Sequence, residues 1–335
     1  MMFLPWCKPV FYHNLTCFSE VKVVLGDLIV SLDPQVSVYM PIACSSYGRL
    51  IAAKKYQQGV GPWKLFGQNL SRTFNVYSPR EIVVSDEYDY EPFMRVRVPL
   101  LPRKGYWILC SARECANHVC RLSGFSRVCN VVSIIGLYDA TGITGSHLLG
   151  IAHAHSDVDI GFYGYYYAVK AFEKINELLM EGVVKPLKNK EVIEWAYREA
   201  RSRGLEVSHV MKLYKPWARF VFNDTIVSIS FWPEFLPSLS SLYYSSTNSS
   251  RQTVEIVECI VSVDPLEPGV IGFPAKIPIV KSSCRVDELV LFDGLFKPIL
   301  WEGGTYRVRG ILLRKGDENY IVVGVREELT YILPI

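Results

Sequence analysis

The sequence predicts a mixed α+β protein in three parts, with β-rich segments at both ends and helices concentrated in the middle. Short runs of β-branched and aromatic residues, separated by proline, glycine and aspartate turns, fill residues 1–100 and 251–335. Between them, residues 101–236 contain longer stretches with apolar residues at helical spacing. Half of the 335 residues are hydrophobic, so the chain is long enough to bury substantial cores.

The first part is predicted to be a small β barrel or sandwich. Strands are predicted at residues 21–30, 36–40, 50–56 and 81–85, each bounded by turn-forming residues. The acidic stretch that follows, in which Asp86, Glu87, Asp89 and Glu91 alternate with tyrosines, is interpreted as a solvated loop. Prolines and a glycine at residues 99–105 mark the boundary to the central part.

The central part carries three helical patterns. Residues 111–137 place Ala112, Cys115, Ala116, Val119 and Cys120 on one apolar stripe, interrupted or ended by a glycine at 124 or 136. A second helix is predicted over residues 166–181 and ends at the glycine that follows. A third runs from an asparagine N-cap at 189 to the glycine at 204.

The arginines at positions 198, 201 and 203 of the third helix are interpreted as a solvated face. Residues 237–250 are rich in serine and almost uncharged, which indicates a linker. Beyond the linker, strands are predicted at residues 253–263, 289–292, 305–313 and 320–325, so the last part is a second small β domain.

One stretch of the central part combines residue types that can bind an anion with residue types that can bind a divalent cation. Gly145 and Ser146 form a small-residue turn, in which backbone N–H groups and a hydroxyl can approach an anion such as phosphate. Asp157 and Asp159 follow and alternate with apolar residues. On a strand, both carboxylates would project from one face, roughly 7 Å apart. Two such carboxylates can share Mg²⁺ when phosphate oxygens complete its octahedron.

This Gly-Ser turn, with Asp-x-Asp about ten residues later, resembles the signature of the DNA polymerase beta-like nucleotidyltransferase superfamily. The phrase TGSHLLG…HSDVDIGFYG is most similar to archaeal members known only as predicted nucleotidyltransferases. The likeness is strong over residues 130–235. Towards the ends it is weak and confined to GRLIAAKKY and TYRVRGILLRKG.

The resemblance implies a central nucleotidyltransferase-like sheet and a Mg²⁺-dependent transfer of a nucleoside monophosphate from a nucleoside triphosphate to a hydroxyl, with release of pyrophosphate. It implies that Gly145 and Ser146 bind the triphosphate and that Asp157 and Asp159 are the catalytic metal ligands. We add Ser156, which directly precedes the first aspartate, as a nucleotide-binding candidate.

Among the cations at 212, 215 and 219, Arg219 is our choice to neutralise phosphate charge. The acceptor stays open between RNA ends, a protein hydroxyl and a small molecule. We expect the flanking β domains to select it.

One departure from the family pattern favours a second interpretation. The superfamily has a third carboxylate on a later strand, where this chain has Ser228 and Ser230. Serine binds Mg²⁺ poorly and is no base at neutral pH. Asp224 precedes that strand and Glu234 follows it, so either is a candidate replacement. The alternative function is therefore a catalytically weak or inactive protein that binds nucleotide or nucleic acid with the same fold.

The histidines and cysteines add no metal signature. His147, His153 and His155 flank the motif and are interpreted as local hydrogen-bonding or solvated residues. The nine cysteines contain no CxxC pair, and those from 110 to 129 are interpreted as buried free thiols, with zinc on this cluster and His118 as a minor alternative. Disulfides inside the cell are expected only of a hyperthermophilic host.

Charge and hydropathy indicate a soluble cytoplasmic protein. A formal net charge of +3 gives no support to a strongly basic nucleic-acid surface. The first nine residues lack a basic region and contain two prolines, unlike a signal peptide. No apolar run approaches the roughly 20 residues that span a bilayer, so no membrane partner is predicted.

Overall fold

The computed structural model of the protein describes residues 4–17, 19–82, 84–91, 96–103, 105–239, 255–315, 317–325 and 328–335. Helices and strands are mixed along these ranges, at about 26% and 38% of the described residues. The predicted α+β class is thereby confirmed. The strands form sheets of eight, five and seven members, which follow one another along the chain.

The first sheet is antiparallel and extends past residue 100. Its strands are β1 (Cys7–Phe11), β2 (Leu28–Ser31), β3 (Ser37–Cys44), β4 (Leu50–Leu65), β5 (Gln68–Arg72), β6 (Glu87–Glu91), β7 (Val96–Leu100) and β8 (Tyr106–Cys110). Their order is β1-β8-β2-β3-β4-β7-β6, with β5 paired to β4. Because β8 lies between β1 and β2, the proline-rich segment before it is a connection within this sheet.

Three predictions for the first sheet are wrong. The strand predicted at residues 21–30 begins only at Leu28. The described residues between 81 and 85 are not in a strand, and the acidic stretch interpreted as a loop forms β6 instead. Its tyrosines and acids alternate, as an edge strand with two different faces requires. The acids also have partners, since Glu87 accepts a hydrogen bond from Arg49 at 2.6 Å and Asp86 pairs with Lys54.

The helices after β8 follow the predicted apolar stripe. They are α1 (Ala112–Val119) and α2 (Ser126–Ile135). Four of the five predicted stripe residues lie in α1 and are buried, namely Ala112, Cys115, Ala116 and Val119. The glycine at 136 ends α2 in the left-handed conformation that glycine adopts most readily.

The second sheet carries the sequence motif. Its strands are β9 (Thr141–Ile143), β10 (Val158–Tyr163), β11 (Lys185–Pro186), β12 (Arg219–Phe222) and β13 (Thr225–Trp232), in the order β11-β12-β13-β10-β9. β10 is parallel to β13 and antiparallel to β9. A tight turn joins β12 to β13 through Asn223 and Asp224, both with positive φ, as two-residue type I′ hairpin turns require.

Four helices accompany this sheet: α3 (Gly145–Leu148), α4 (Tyr165–Met180), α5 (Asn189–Arg203) and α6 (Val207–Met211). The N-cap of α5 is Lys188 rather than the predicted Asn189, because the Glu191 carboxylate accepts the N–H of Lys188 at 2.7 Å. The solvated-face prediction holds for the exposed arginines at 198 and 201. It is wrong for Arg203, which is 6% exposed.

The third sheet confirms the four strands predicted near the C-terminus. It consists of β14 (Glu255–Val263), β15 (Ala275–Pro278), β16 (Lys281–Ser282), β17 (Glu288–Leu291), β18 (Gly304–Lys315), β19 (Glu318–Val323) and β20 (Tyr331–Pro334), with helix α7 (Lys297–Trp301). The predicted linker lies outside the described residues from 240 onward. Within the described part of the predicted linker, Leu239 is buried and donates its N–H to the carbonyl of Cys44 at 2.8 Å.

The sheets share a continuous hydrophobic core. One cluster of buried side chains extends from Trp6 through the motif strand β10 to Trp301. The Trp301 ring lies 4.9 Å from that of Phe231 on β13 and thus joins the second and third sheets. Among the described residues, no helix is both long and apolar enough to cross a membrane.

The cysteines are mostly paired, so the interpretation of those from 110 to 129 as buried free thiols is correct only for Cys115. Disulfides join Cys7 to Cys110, Cys17 to Cys44, Cys120 to Cys129 and Cys259 to Cys284, while Cys115 is buried and free. The first of them links strands β1 and β8 at directly opposed positions. Sequence spacing could not show this pairing, because the two cysteines are 103 residues apart.

We expect thiol titration of the oxidised protein to detect no reactive thiol in the native state and one after unfolding without reductant. The single thiol is Cys115, which burial protects and whose pKa burial raises. Full reduction should release all nine. A Cys115→Ala variant should give none before reduction. Several thiols in the unfolded, unreduced wild type would contradict the disulfide assignment.

Candidate functional site

The turn between β9 and α3 is held tightly against strand β10. Gly145 has φ +71°, in the left-handed region that favours glycine. A Cβ atom at this position would lie 2.6 Å from Oδ2 of Asp159. The Asp159 carboxyl group therefore contacts the backbone of the turn, as the sequence motif predicts. The backbone N–H of Thr144 also donates to the carbonyl of Asp159 at 3.1 Å.

The N-terminal segment fixes this turn from outside. The Trp6 indole, fully buried, donates to the carbonyl of Leu148 at 2.7 Å. The Thr144 hydroxyl donates to the carbonyl of Gly26 at 2.6 Å. Both ends of the Gly-Ser turn are thus bound to residues of the first sheet and its loops. The site is formed where the first and second sheets meet.

Asp157 and Asp159 lie on one side of β10. Val158 and Ile160 are fully buried, whereas the two aspartates are partly exposed, which is the alternation of a strand with one solvent-accessible face. The two carboxylates also interact electrostatically. Removal from water, and then the negative charge of Asp157, raise the pKa of Asp159 to about 6. Lys55, Arg219 and Arg72 oppose this shift.

Arg219 and Ser228 occupy the place where the family pattern has a third carboxylate. Ser228 lies opposite Asp159 in the parallel pair β10 and β13, and opposite Arg219 in the hairpin. The Arg219 guanidinium donates to the Ser228 hydroxyl at 2.6 Å and to Asp157 at 3.3 Å. A cation therefore bridges the first aspartate and the serine. This arrangement lowers the negative charge of the site.

The two candidate replacements for the third carboxylate lie elsewhere. Asp224 is exposed in the hairpin turn, four residues before Ser228 and thus roughly 13 Å along the strand. Glu234 lies at the other end of β10, where its carboxylate would be 2.9 Å from a Cβ atom added to Gly164. Neither contacts the pair of aspartates. Ser230 is exposed and lies two residues beyond Ser228 on β13.

Three residues to which the sequence motif assigns no role act electrostatically on Asp159 or respond to its charge: Lys55 on β4, Arg72 on β5 and Tyr77 in the segment after β5. The charges of Lys55 and Arg72 act on Asp159. Burial first, and then the charge of Asp159, raise the pKa of the Tyr77 hydroxyl, although the whole side chain is 46% exposed. The sequence contains a signal for Lys55, because a lysine within the largely apolar run of residues 50–56 indicates a charge that is kept at a buried position for binding or catalysis.

The remaining candidates have local partners. The Ser156 hydroxyl accepts the N–H of His153 at 3.0 Å, so this serine shapes the loop before β10. His155, exposed, donates its N–H to the His153 ring at 3.2 Å. His147 is buried, and removal from water lowers its pKa to about 4, so the imidazole is neutral at physiological pH. Its Nε2 has no hydrogen-bond partner among the described residues.

The other two cations considered as phosphate ligands are Lys212 and Lys215. Lys212 is exposed at the C-terminal end of α6, and Lys215 pairs with Glu302 near the third sheet. Of the three predicted cations, only Arg219 contacts the aspartates. Its Nε atom is buried without a hydrogen bond in the part of the chain that the structure describes.

The donor set fits a magnesium ion that is shared with phosphate. Among the described residues, no three His, Cys, Asp or Glu side chains are grouped to hold a metal alone. Two neighbouring carboxylates, of which one raises the pKa of the other, are nevertheless the usual protein contribution to such an ion, because Mg²⁺ keeps waters and phosphate oxygens as its other ligands. Asp157 and Asp159 are the residues that would hold it.

No family model, curated protein or solved structure matches the chain. The likeness to DNA polymerase beta-like nucleotidyltransferases therefore rests on the motif residues themselves and stays a prediction.

We expect Gly145→Ala to reduce stability and ligand binding by more than the strain of a left-handed alanine alone accounts for. The added Cβ would displace the Asp159 carboxyl group, in addition to the roughly 1–2 kcal/mol that a left-handed alanine costs. Gly136→Ala is the matched control, because Gly136 also has positive φ but nothing within 4 Å of its added Cβ. Equal losses of stability and of ligand binding in the two variants would show that the contact with Asp159 is unimportant.

Proposed function

We propose that the protein is a Mg²⁺-dependent nucleotidyltransferase, which transfers a nucleoside monophosphate from a nucleoside triphosphate to a hydroxyl acceptor and releases pyrophosphate. The observation that carries this proposal is the contact between the Asp159 carboxyl group and the Gly145 turn, on the strand face that also bears Asp157. In this proposal the second sheet is the nucleotidyltransferase-like domain, and the first and third sheets flank it.

Each residue of the site has a role in the proposed reaction. Gly145 and Ser146 bind the triphosphate, and the Ser146 hydroxyl has no intramolecular hydrogen bond within the described ranges. Arg219 neutralises phosphate charge while it orients Asp157. Ser156 supports the loop that leads into β10. Mg²⁺, when bound by Asp157 and Asp159, supplies charge neutralisation at the α-phosphoryl group.

The acceptor oxygen forms a bond to the α-phosphorus as the bond to the pyrophosphate oxygen breaks, and the acceptor hydroxyl loses its proton. Ser228 does not accept this proton at neutral pH. We therefore assign the role of base to a group of the substrates.

A second candidate function follows from the Arg219 bridge. An arginine that binds both Asp157 and the serine at the third position leaves a site suited to hold an anion without activating an acceptor. The second candidate is therefore a nucleotide- or nucleic-acid-binding protein with weak or no transferase activity.

Two measurements test the proposal. ATP, CTP, GTP and UTP are titrated with and without Mg²⁺ into the wild type and an Asp157→Ala, Asp159→Ala variant, and equal binding by both proteins would reject the site. Labelled nucleotides are then incubated with RNA, protein and small-molecule fractions of a cell extract. Label transfer that the double variant lacks supports the transferase, whereas Mg²⁺-dependent binding without transfer supports the second candidate.

The proposed site of action is the cytoplasm, and the four disulfides restrict it further. Thiol-reducing systems keep most cytoplasmic cysteines unpaired, and intracellular proteins of hyperthermophiles are the established exception. A cytoplasmic transferase with these pairings therefore belongs in such a host.

Metal binding should weaken as pH falls through about 6. The folded-state pKa of Asp159, about 6, lies above its ordinary value of 3.8, so ionising it destabilises the fold as pH rises between these values. A bound cation offsets the cost of ionising Asp159, and it binds only the ionised carboxylate.

We expect Mn²⁺ affinity, measured from the electron paramagnetic resonance signal of the free ion, to be about tenfold lower at pH 5 than at pH 7. His147 is neutral at both pH values. An affinity independent of pH would contradict the assignment of Asp159 as a ligand.

A further inference from the structure

We propose that Lys55 and Arg72 form a clamp for the polyphosphate tail of the nucleotide, so that a nucleoside triphosphate is bound between the first sheet and strand β10. This inference rests on the proposed nucleotide function and deepens it. It gives the first sheet a direct part in binding, in residues to which the sequence motif assigns no role.

The Lys55 side chain is buried and makes no ion pair within the described residues, although its charge acts on Asp159. It is 3% exposed, and its ammonium group lies 5.1 Å from the ring centre of Tyr77 and 5.7 Å from that of Tyr56. Among the described residues it forms no hydrogen bond and no ion pair. The neighbouring Lys54 is different, since it pairs with Asp86. With no hydrogen bond or ion pair of its own among the described residues, the ammonium group of Lys55 has three N–H donors available to an anion at this site.

Arg72 stands beside Lys55 at the exposed side of the same site. It lies opposite Tyr56 in the pairing of β4 with β5. Its guanidinium group stacks 4.8 Å above the ring of Trp63 and has no ion-pair partner in the described parts of the chain. Stacking fixes the plane of the guanidinium group. A planar donor edge of this kind binds phosphate oxygens in pairs.

The charges around the site favour a ligand with several negative charges. Lys55, Arg72 and Arg219 act on Asp159, and Arg72 and Arg219 also act on Asp157. Three cations against two carboxylates leave one positive charge, and the proposed metal adds two more. A monophosphate would neutralise only part of this charge. A triphosphate supplies further oxygens that can reach Lys55 and Arg72 while its α-phosphoryl group lies near the aspartates.

The test compares triphosphate and monophosphate binding in two variants. Lys55→Met keeps the length and the apolar stem of the buried side chain, and Arg72→Gln removes an exposed charge. For the best-binding triphosphate in the presence of Mg²⁺, we expect each variant to lose about 10- to 100-fold in affinity, the range for hydrogen bonds to charged groups. Affinity for the corresponding monophosphate should change less than about threefold. Inorganic triphosphate should compete with the nucleotide in the wild type and less well in the variants.

The matched control is Lys64→Gln, which removes an exposed charge from the same strand as Lys55. It should bind triphosphate as the wild type does. If both clamp variants keep wild-type triphosphate affinity while the Asp157→Ala, Asp159→Ala variant loses it, the clamp is wrong and the nucleotide site stands. If the wild type itself binds no triphosphate, both proposals fail. Should Lys55→Met not fold, Arg72→Gln alone decides the outcome, because its side chain lies at the surface.

Discussion

Replacing Asp157 and Asp159 together by asparagine is expected to abolish nucleotidyl transfer and the Mg²⁺-dependent part of triphosphate binding. Asparagine keeps the volume of each side chain and removes the charge that a hard cation requires. A metal contributes several kcal/mol of charge stabilisation to phosphoryl transfer, so the rate should fall at least about 10³-fold. The measurement is transfer of labelled nucleotide under conditions that saturate the wild type.

The controls for this result are Asp224 and Glu234, the two candidates for a third carboxylate that do not reach the site. Asp224→Asn should be neutral, because asparagine tolerates the left-handed conformation of the hairpin turn. Glu234→Gln changes an exposed residue at the far end of β10. Both should transfer label like the wild type. Activity that survives in the double aspartate variant, or is lost with Glu234, would place the chemistry elsewhere.

Arg203→Met is expected to be the most destabilising single substitution of a charged residue. The Arg203 guanidinium makes a bidentate contact with Asp293 of the third sheet, at 2.5 and 2.8 Å, and contacts Glu199 one turn earlier on α5 at 2.5 Å. Arg203 and Asp293 are 6% and 3% exposed. Removing one partner of a buried ion pair leaves the other charge uncompensated, at a cost of about 3–5 kcal/mol.

Urea unfolding followed by tryptophan fluorescence measures this loss. Arg201→Met, on the exposed face of the same helix, is the matched control and should stay within about 0.5 kcal/mol of the wild type. The Asp293→Asn substitution added to Arg203→Met should recover part of the stability, because it removes an unpaired charge. A single variant as stable as the wild type would show that this pair does not hold the second and third sheets together.

Arg203 also links the stability of the fold to the candidate site around Asp159. Its guanidinium donates to the backbone carbonyl of Tyr77 at 3.2 Å, and the hydroxyl of Tyr77 lies in the field of Asp159. Loss of Arg203 should therefore weaken nucleotide binding as well as the fold. The three sheets meet at this residue, which explains why an arginine predicted to be solvated is buried.

Local sequence signals predicted the parts of the fold that local physics determines. The glycines at 136 and 204 end helices in the left-handed conformation, and the Asn223–Asp224 turn joins two strands, as their backbone preferences require. The alternation of Asp157 and Asp159, partly exposed, with the buried Val158 and Ile160 likewise follows from spacing at the start of β10. Each of these predictions depends on residues a few positions apart.

Features that depend on distant residues were not predictable in the same way. Arg203 has the pattern of a solvated helix face, and only Asp293, 90 residues later, makes its burial possible. The Cys7–Cys110 disulfide and the arrival of Lys55 beside Asp159 depend on how β8 and β4 fold back. The acidic strand β6 was misread because its pairing with β7 outweighs the low strand preference of its acids.

The most direct test of the central claim is a crystal structure of the protein with Mn²⁺ and a non-hydrolysable triphosphate, in which anomalous scattering locates the metal. We expect one ion within about 2.2 Å of a carboxylate oxygen of Asp157 and of Asp159, with phosphate oxygens completing its coordination. The triphosphate should lie against the backbone of Gly145. A metal and nucleotide bound away from this turn, or a nucleotide bound here with Arg219 still bridging Asp157 and Ser228 and no metal present, would contradict the proposed site.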